Sequence, residues 1–286
     1  MNAVRLFLKE IRIEHTLFAL PFAYVGALFG ANGLPSAFAI VWITLAVLGA
    51  RTAAIAANRY FDRDIDARNP RTARRALASG TMSPSVMLAA IIAGIVLLLV
   101  AAWQLNPLCV KLLPLAAIGL LVYPLCKRFT WLTHFVLGAV DGLAPLGAYI
   151  AVSGTVSFAA LALFFAVTVW VAGFDVLYAL MDLPVDRAQG IHSLPVQFGE
   201  RSARTLSIAL HAVMLLLLLA AGILAHAAWW YYLGLLAGLA LIADELRLLA
   251  RARDVFALNE RVFRANMSFS VAFLATTIAA FTLERL

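Results

Sequence analysis

Apolar residues come in nine runs, each close to the roughly 20 residues that a helix needs to cross a bilayer. The runs lie near 16–33, 37–59, 83–103, 107–125, 131–152, 157–180, 204–224, 228–249 and 265–283. They predict an all-α, polytopic membrane protein of nine transmembrane helices. The polar breaks between them are of two kinds. "ANGLPS", "QLN", "SGTVS" and "AHAA" contain no Lys or Arg, whereas the segments that alternate with them are basic. Two of the basic segments are long, about 60–82 and 181–203, and both begin at a group of aspartates.

Of 22 Lys and Arg residues, all but Arg51, Lys111 and Arg285 fall before the first run or around the breaks after the second, fourth, sixth and eighth. By the positive-inside rule the N-terminus and these breaks face the cytoplasm, as in a protein of a cytoplasmic (inner) membrane. The leading "MNAVRLFLKEIRIEH" is too long and too charged for a cleaved signal, so the first run is expected to be retained.

Composition agrees. Of 286 residues 64% are hydrophobic and 13% charged, with a mean hydropathy of +0.95. A soluble domain carries about twice that charged fraction. The net charge of +7 follows from topology and points to no nucleic acid. Cys109 and Cys126 lie at opposite ends of one run. A helix would hold them about 25 Å apart, beyond the ~7 Å that a disulfide spans.

Against this background "NRYFDRDID", residues 58–66, is unusual. Residues four apart on a helix rise about 6 Å and turn by about 40°, so Asn58, Asp62 and Asp66 share one face, with Arg51 seven residues deeper. Asp64 points away. In "DVLYALMDLPVD", Asp175 and Asp182 are close to two turns apart and Asp186 follows by four, with Pro184 between. Carboxylates at the membrane edge repel one another and need a cation. Mg²⁺ suits them, because it takes oxygen ligands and is often held by one or two carboxylates plus substrate phosphates. A single cluster also fits a solvated helix end paired with Arg59, Arg63, Arg68 and Arg187. Two clusters at matching positions favour a site.

These strings resemble the UbiA superfamily of intramembrane prenyltransferases. "NRYFDRDID" resembles its first motif, NxxxDxxxD, and "DVLYALMDLPVDRAQGIHS" its second. "NPRTARRALASG" resembles its Arg-rich cap loop, and "YPLCKRFTWLTHFVLG" its Tyr-Pro-x-x-Lys-Arg segment. The resemblance implies one membrane domain over 1–286, with helices around a central cavity and two cap loops on the cytoplasmic side. It implies that Asp62, Asp66, Asp182 and Asp186, with Asn58, hold Mg²⁺ against a polyprenyl diphosphate, and that an electron-rich aromatic ring attacks the allylic cation. Arg12, Tyr123, Lys127 and Arg128 would contact the diphosphate, joined by Asp175 and Tyr178. The isoprenoid tail would lie in an apolar tunnel open to lipid, and no obligatory protein partner is implied.

Other positions keep two readings. Lys127 is either a diphosphate ligand or an interfacial lysine, and Arg128 is either a diphosphate contact or only a topology signal. Arg51 either binds the acceptor's carboxylate or braces Asn58 and Asp62. Asp141, inside the fifth run, either faces the acceptor or pairs with a buried base. His134 is read as a packing or hydrogen-bonding residue. His192 stands where many relatives have Lys, so it brings less charge to the diphosphate.

The closest pattern is the 4-hydroxybenzoate polyprenyltransferase-like branch, and within it the group assigned to menaquinone synthesis by the futalosine route. That implies 1,4-dihydroxy-6-naphthoate as acceptor, with 4-hydroxybenzoate of ubiquinone synthesis as the alternative. A cation-coupled transporter is the alternative of another class. It would place its charges nearer the midplane, where only Asp141 and Arg51 suit it.

Overall fold

Each of the nine apolar runs falls on a helix. The computed structural model describes residues 3–11, 13–251 and 255–283, and among these it contains helices and no strands. In chain order they are α1 (Ala3–Glu10), α2 (Ile13–Ala31), α3 (Ala37–Arg68), α4 (Pro84–Leu105), α5 (Pro107–Cys126), α6 (Thr133–Ser153), α7 (Phe158–Ala179), α8 (Leu183–Gln189), α9 (Leu194–Leu224), α10 (Trp229–Arg251) and α11 (Val255–Thr282). Among the described residues seven helices are long and apolar enough to cross a membrane: α3 to α7, α9 and the Glu260–Thr282 part of α11. α2 adds a shorter apolar stretch, Ala19–Ala31. α10 falls short because Asp244, Glu245, Arg247 and Arg251 crowd its second half.

Local chemistry sets the boundaries. Ser36, Asn106 and Ser157 cap α3, α5 and α7, each side chain accepting a hydrogen bond from a first-turn N–H. Such caps satisfy donors that a helix start otherwise leaves open. The predicted loops prove shorter than expected. α3 runs nine residues past 59, since no breaker intervenes until Pro70 forces Asn69 into an extended conformation. The second loop likewise contains α8 and the first turns of α9, which break at Gly199, where φ is +82°.

Helices pack closely where side chains are small. A Cβ on Gly94 would meet Gly49 O at 2.6 Å, so α3 and α4 touch backbone to backbone, as membrane helices do through small residues. Between α2, α7, α9, α10 and α11 lies an aromatic core of Phe22, Trp170, Tyr231, Phe269 and Phe273. Beside it sits a sealed polar cluster. His211 and Glu245 are fully buried, with His211 Nδ1 2.5 Å from Glu245 Oε2 and Nε2 3.1 Å from Trp170 O. Asn266 accepts from Trp170 Nε1 at 2.5 Å and donates to Val262 O at 2.8 Å. Cys109 and Cys126 are free thiols.

Candidate active site

Both aspartate groups open onto one cavity of about 630 Å³. α3 delivers Asn58, Asp62 and Asp66 on successive turns of the same face, the end of α7 delivers Asp175 and Tyr178, and α8 begins at Asp182. A second, apolar cavity of about 270 Å³ lies deeper, walled by Ile43, Leu98, Leu120 and Ile150 among others.

Each central aspartate is held by a cation from another part of the chain. Lys127 Nζ lies 2.5 Å from Asp62 Oδ2, which also accepts from Asn58 Nδ2 at 3.0 Å. Arg75 Nη1 reaches both oxygens of Asp66, at 2.7 and 2.6 Å. Asp182 accepts from Arg71 Nε at 2.8 Å, from Arg71 Nη2, and from Asn69 Nδ2 at 2.8 Å. The cap loop after α3 thus reaches over the cavity to the second motif, more than 100 residues away. Glu10 anchors that loop from below, its Oε1 accepting from Ala76 N at 2.7 Å while Oε2 lies 3.8 Å from Arg59 Nε.

Electrostatics separate the two carboxylates of the second motif. Burial alone would raise Asp182, but its hydrogen bonds and charge pairing with Arg71, then Asn69, hold it below the usual carboxylate range. Asp186 is pushed up to about 6 by burial and by the neighbouring Asp182 charge, against the pull of Lys127. Asp175 pairs with His134 at 2.7 Å. Leu194 N donates to His134 Nε2 at 3.2 Å, so Nδ1 carries the proton and donates to Asp175. His134 is therefore a hydrogen-bonding residue.

Several expected placements change. The solvated-end partners Arg59, Arg63, Arg68 and Arg187 give way to Lys127, Arg71 and Arg75, which the helix ends alone do not supply. Arg51 does not brace Asn58: its Nη1 pairs with Asp141 Oδ1 at 2.8 Å. Asn58 lines the cavity, its Nδ2 donating to Asp62 while its Oδ1 accepts from Arg59 Nη1 at 3.3 Å and keeps a second lone pair. The His192 side chain is exposed and outside the cavity wall, and Ile191 and Ser193 line the wall instead. Arg128 stands at the rim, donating to Phe61 O, with Nη2 3.9 Å from Asp62 Oδ1. Tyr123 lines the cavity and donates to Ala54 O at 3.2 Å. Tyr178 lines it as well. Arg12 lies outside the described residues. Asn69, Arg71, Arg75 and Glu10 were not singled out from the sequence. The Arg-rich string marked the loop, but nothing in its spacing says which arginine meets which aspartate.

A family model described as the UbiA prenyltransferase family matches residues 19–276, and the chain belongs to that family. It is an aromatic prenyltransferase and an integral membrane protein, which sets the transporter reading aside. The 4-hydroxybenzoate octaprenyltransferase of Alkalilimnicola ehrlichii is 34% identical over 249 residues, covering 85% of this chain and 81% of that protein. The protein of the same name from Aeromonas salmonicida is 31% identical over 250 residues, covering 87% and 85%. Among solved structures, an apo UbiA homologue from Aeropyrum pernix K1 superposes with a TM-score of 0.84 at 32% identity, over 96% of this chain and 99% of that one. A UbiA homologue from Archaeoglobus fulgidus, bound to GPP and Mg²⁺, shares the fold with a TM-score of 0.68 at 20% identity, over 96% and 99%.

Proposed function

We propose that this protein transfers a polyprenyl group from polyprenyl diphosphate to a ring carbon of 4-hydroxybenzoate, in ubiquinone synthesis. The observation that carries the transfer is the pairing of two chambers, one polar and lined by carboxylates and cations, one apolar, which meet at Arg51 and Asp141. A substrate with a diphosphate head and an isoprenoid tail fits that division. Its reacting carbon, between head and tail, then lies at the junction. For the acceptor, the names of the curated relatives favour hydroxybenzoate over the dihydroxynaphthoate expected from the motifs.

The residues fit Mg²⁺. Asp62, Asp66, Asp182 and Asp186 offer only oxygen donors, and Asp62 Oδ1 is buried with no hydrogen-bond partner, as a waiting ligand atom would be. Among the described residues no three acidic, His or Cys side chains gather tightly enough to hold a metal alone, so diphosphate oxygens would complete the shell. Bound Mg²⁺ would neutralise charge on the diphosphate as its C–O bond breaks. Lys127, Arg71 and Arg75 serve the same end: each cation can turn from its aspartate to a diphosphate oxygen, and such preset charges stabilise the leaving group without reorganising solvent. The C–O electron pair leaves with diphosphate, the ring carbon closes the C–C bond, and loss of the ring proton restores aromaticity.

The same reading takes nine crossings with the N-terminus cytoplasmic, supported by the confinement of Lys and Arg to one set of breaks, so that the polar chamber opens to the cytoplasm. The test is an assay of the purified protein in detergent with Mg²⁺, a polyprenyl diphosphate, and 4-hydroxybenzoate or 1,4-dihydroxy-6-naphthoate in parallel. Prenylated hydroxybenzoate as the dominant product is the expected result. Preference for the naphthoate would move the enzyme to menaquinone synthesis, and diphosphate release without alkylation of either would discard both acceptors.

A further inference from the structure

The two chambers share four wall residues: Arg51, Ala54, Val140 and Asp141. Ala54 and Val140 offer no side-chain polar atom. The one charged feature of the junction is therefore the Arg51–Asp141 ion pair that ties α3 to α6, and the Tyr123 hydroxyl of α5 stands beside it, donating to Ala54 O at 3.2 Å. Both side chains of the pair are mostly buried, at 16% and 14% exposure, yet they border open space on both sides. An ionisable pair at such depth in a membrane protein is expensive and marks a functional position. Its hydrogen bonding is also incomplete, because Arg51 Nε is buried without a partner. Asp141 Oδ1 is taken by Arg51, and a carboxylate keeps further acceptor capacity at its second oxygen.

We propose that Asp141 is a catalytic residue that accepts the hydrogen bond of the aromatic acceptor's ring hydroxyl, held in place for that task by Arg51. The inference rests on the proposed reading that the acceptor ring sits at the junction, beside the reacting carbon of the prenyl diphosphate. A hydroxylated ring is most nucleophilic next to the carbon that bears oxygen, so the attacking carbon and the hydroxyl arrive at the junction together. As the C–C bond forms, electron density flows from oxygen into the ring and the hydroxyl proton passes to Asp141, leaving a neutral ring ketone. The ring proton at the alkylated carbon then leaves to the departing diphosphate. The proton on Asp141 returns to oxygen, and both the aromatic hydroxyl and the carboxylate are restored. Without Asp141 the ring would have to carry positive charge in the transition state. Arg51 acts as a positioning residue here. Its pairing also neutralises Asp141 enough for a negatively charged acceptor to approach.

The experiment compares native protein with Asp141→Asn, which keeps the shape and an acceptor oxygen for Arg51, using an aromatic acceptor that the native protein alkylates. The expected kcat falls about 100-fold at neutral pH, the low end for general base catalysis, while KM for prenyl diphosphate stays within about twofold. The deficit should shrink as pH approaches the hydroxyl's own pKa, about 10 for an unperturbed phenol, and with ring-fluorinated acceptors whose hydroxyl is more acidic. An unchanged kcat in the folded variant would overturn the proposal, and so would a loss of the same size at every pH and with every acceptor, which marks a structural role. Should the variant not fold, the native protein decides with the acceptor's methyl ether, which has no proton to give. That ether should compete for binding and be alkylated at least about 100-fold more slowly, and equal turnover would sink the idea. If the native protein alkylates no hydroxylated aromatic at all, the functional reading falls first and this one with it. If it does and the variant is indifferent, this one falls alone.

Discussion

Two polar clusters lie within this apolar bundle, one open to the cavity and one sealed. In the sealed cluster, His211, Glu245 and Asn266 are at most 1% exposed, and their partners come from one another, from the Trp170 indole or from neighbouring backbone. Trp170 O can only accept, so His211 Nε2 carries a proton, and a further proton lies between Nδ1 and Glu245. The charges cancel, and none of the three lines either of the two cavities described above. In the open cluster the same kinds of residue face a large cavity, Asp62 Oδ1 is left without a hydrogen bond, and the cations are borrowed from the loop after α3 and from the end of α5. Buried polar groups that are fully satisfied specify and stabilise a packing arrangement. Groups held partly unsatisfied beside a cavity are prepared for something that arrives.

The largest expected effect is on turnover. Asp62→Ala or Asp182→Ala should lower kcat/KM by at least about 1,000-fold, on the order of 4 kcal/mol of transition-state stabilisation, while the melting temperature in detergent changes little. A variant with a lowered melting temperature that keeps its specific activity per folded molecule would reverse the two assignments. Next comes Glu245→Ala, which strands a buried imidazole without its partner. It should cost about 3–5 kcal/mol of stability, read as a lowered melting temperature, with specific activity per folded molecule within about threefold of native. The smallest effect belongs to Arg264→Ala. Its i,i+4 pair with Glu260 is 70% and 72% exposed, and deleting it should change stability by less than about 0.5 kcal/mol. A larger shift would mean that Glu260, which borders the cavity, does more there than stay solvated.

Helix positions were legible because lipid leaves the backbone few options: an apolar run of about 20 residues reads as helix whatever surrounds it. The face shared by Asn58, Asp62 and Asp66 was legible for a similar reason, since periodicity alone sets it. Partnerships were not. Arg71 and Arg75 meet Asp182 and Asp66 through a folded loop, and one-dimensional spacing does not distinguish them from Arg74 between them. His211 and Glu245 are 34 residues apart on different helices, and each looks ordinary in its own segment. The motif places His192 near the diphosphate, whereas its side chain is exposed and its neighbours Ile191 and Ser193 line the cavity. Asp141 was noticed because a carboxylate in an apolar run needs a reason, and the pairing with Arg51 was one of the two reasons open to it.

The unbroken course of α3 from Ala37 to Arg68 makes it a yardstick. Arg51 at the junction and Asp62 among the carboxylates are separated by 11 helical residues, about 16 Å along the axis. Long side chains reach across much of that rise, and under the proposed reading the spacing between ring and head group is then set by one continuous helix, independent of how the loops settle. One residue inserted between Arg51 and Asn58 would swing the carboxylate face by about 100°, so along this stretch the number of residues matters as much as which residues they are. Length variation belongs elsewhere, in the turns between crossings and at the far end of the apolar chamber, where room for a tail can grow or shrink without disturbing the measure.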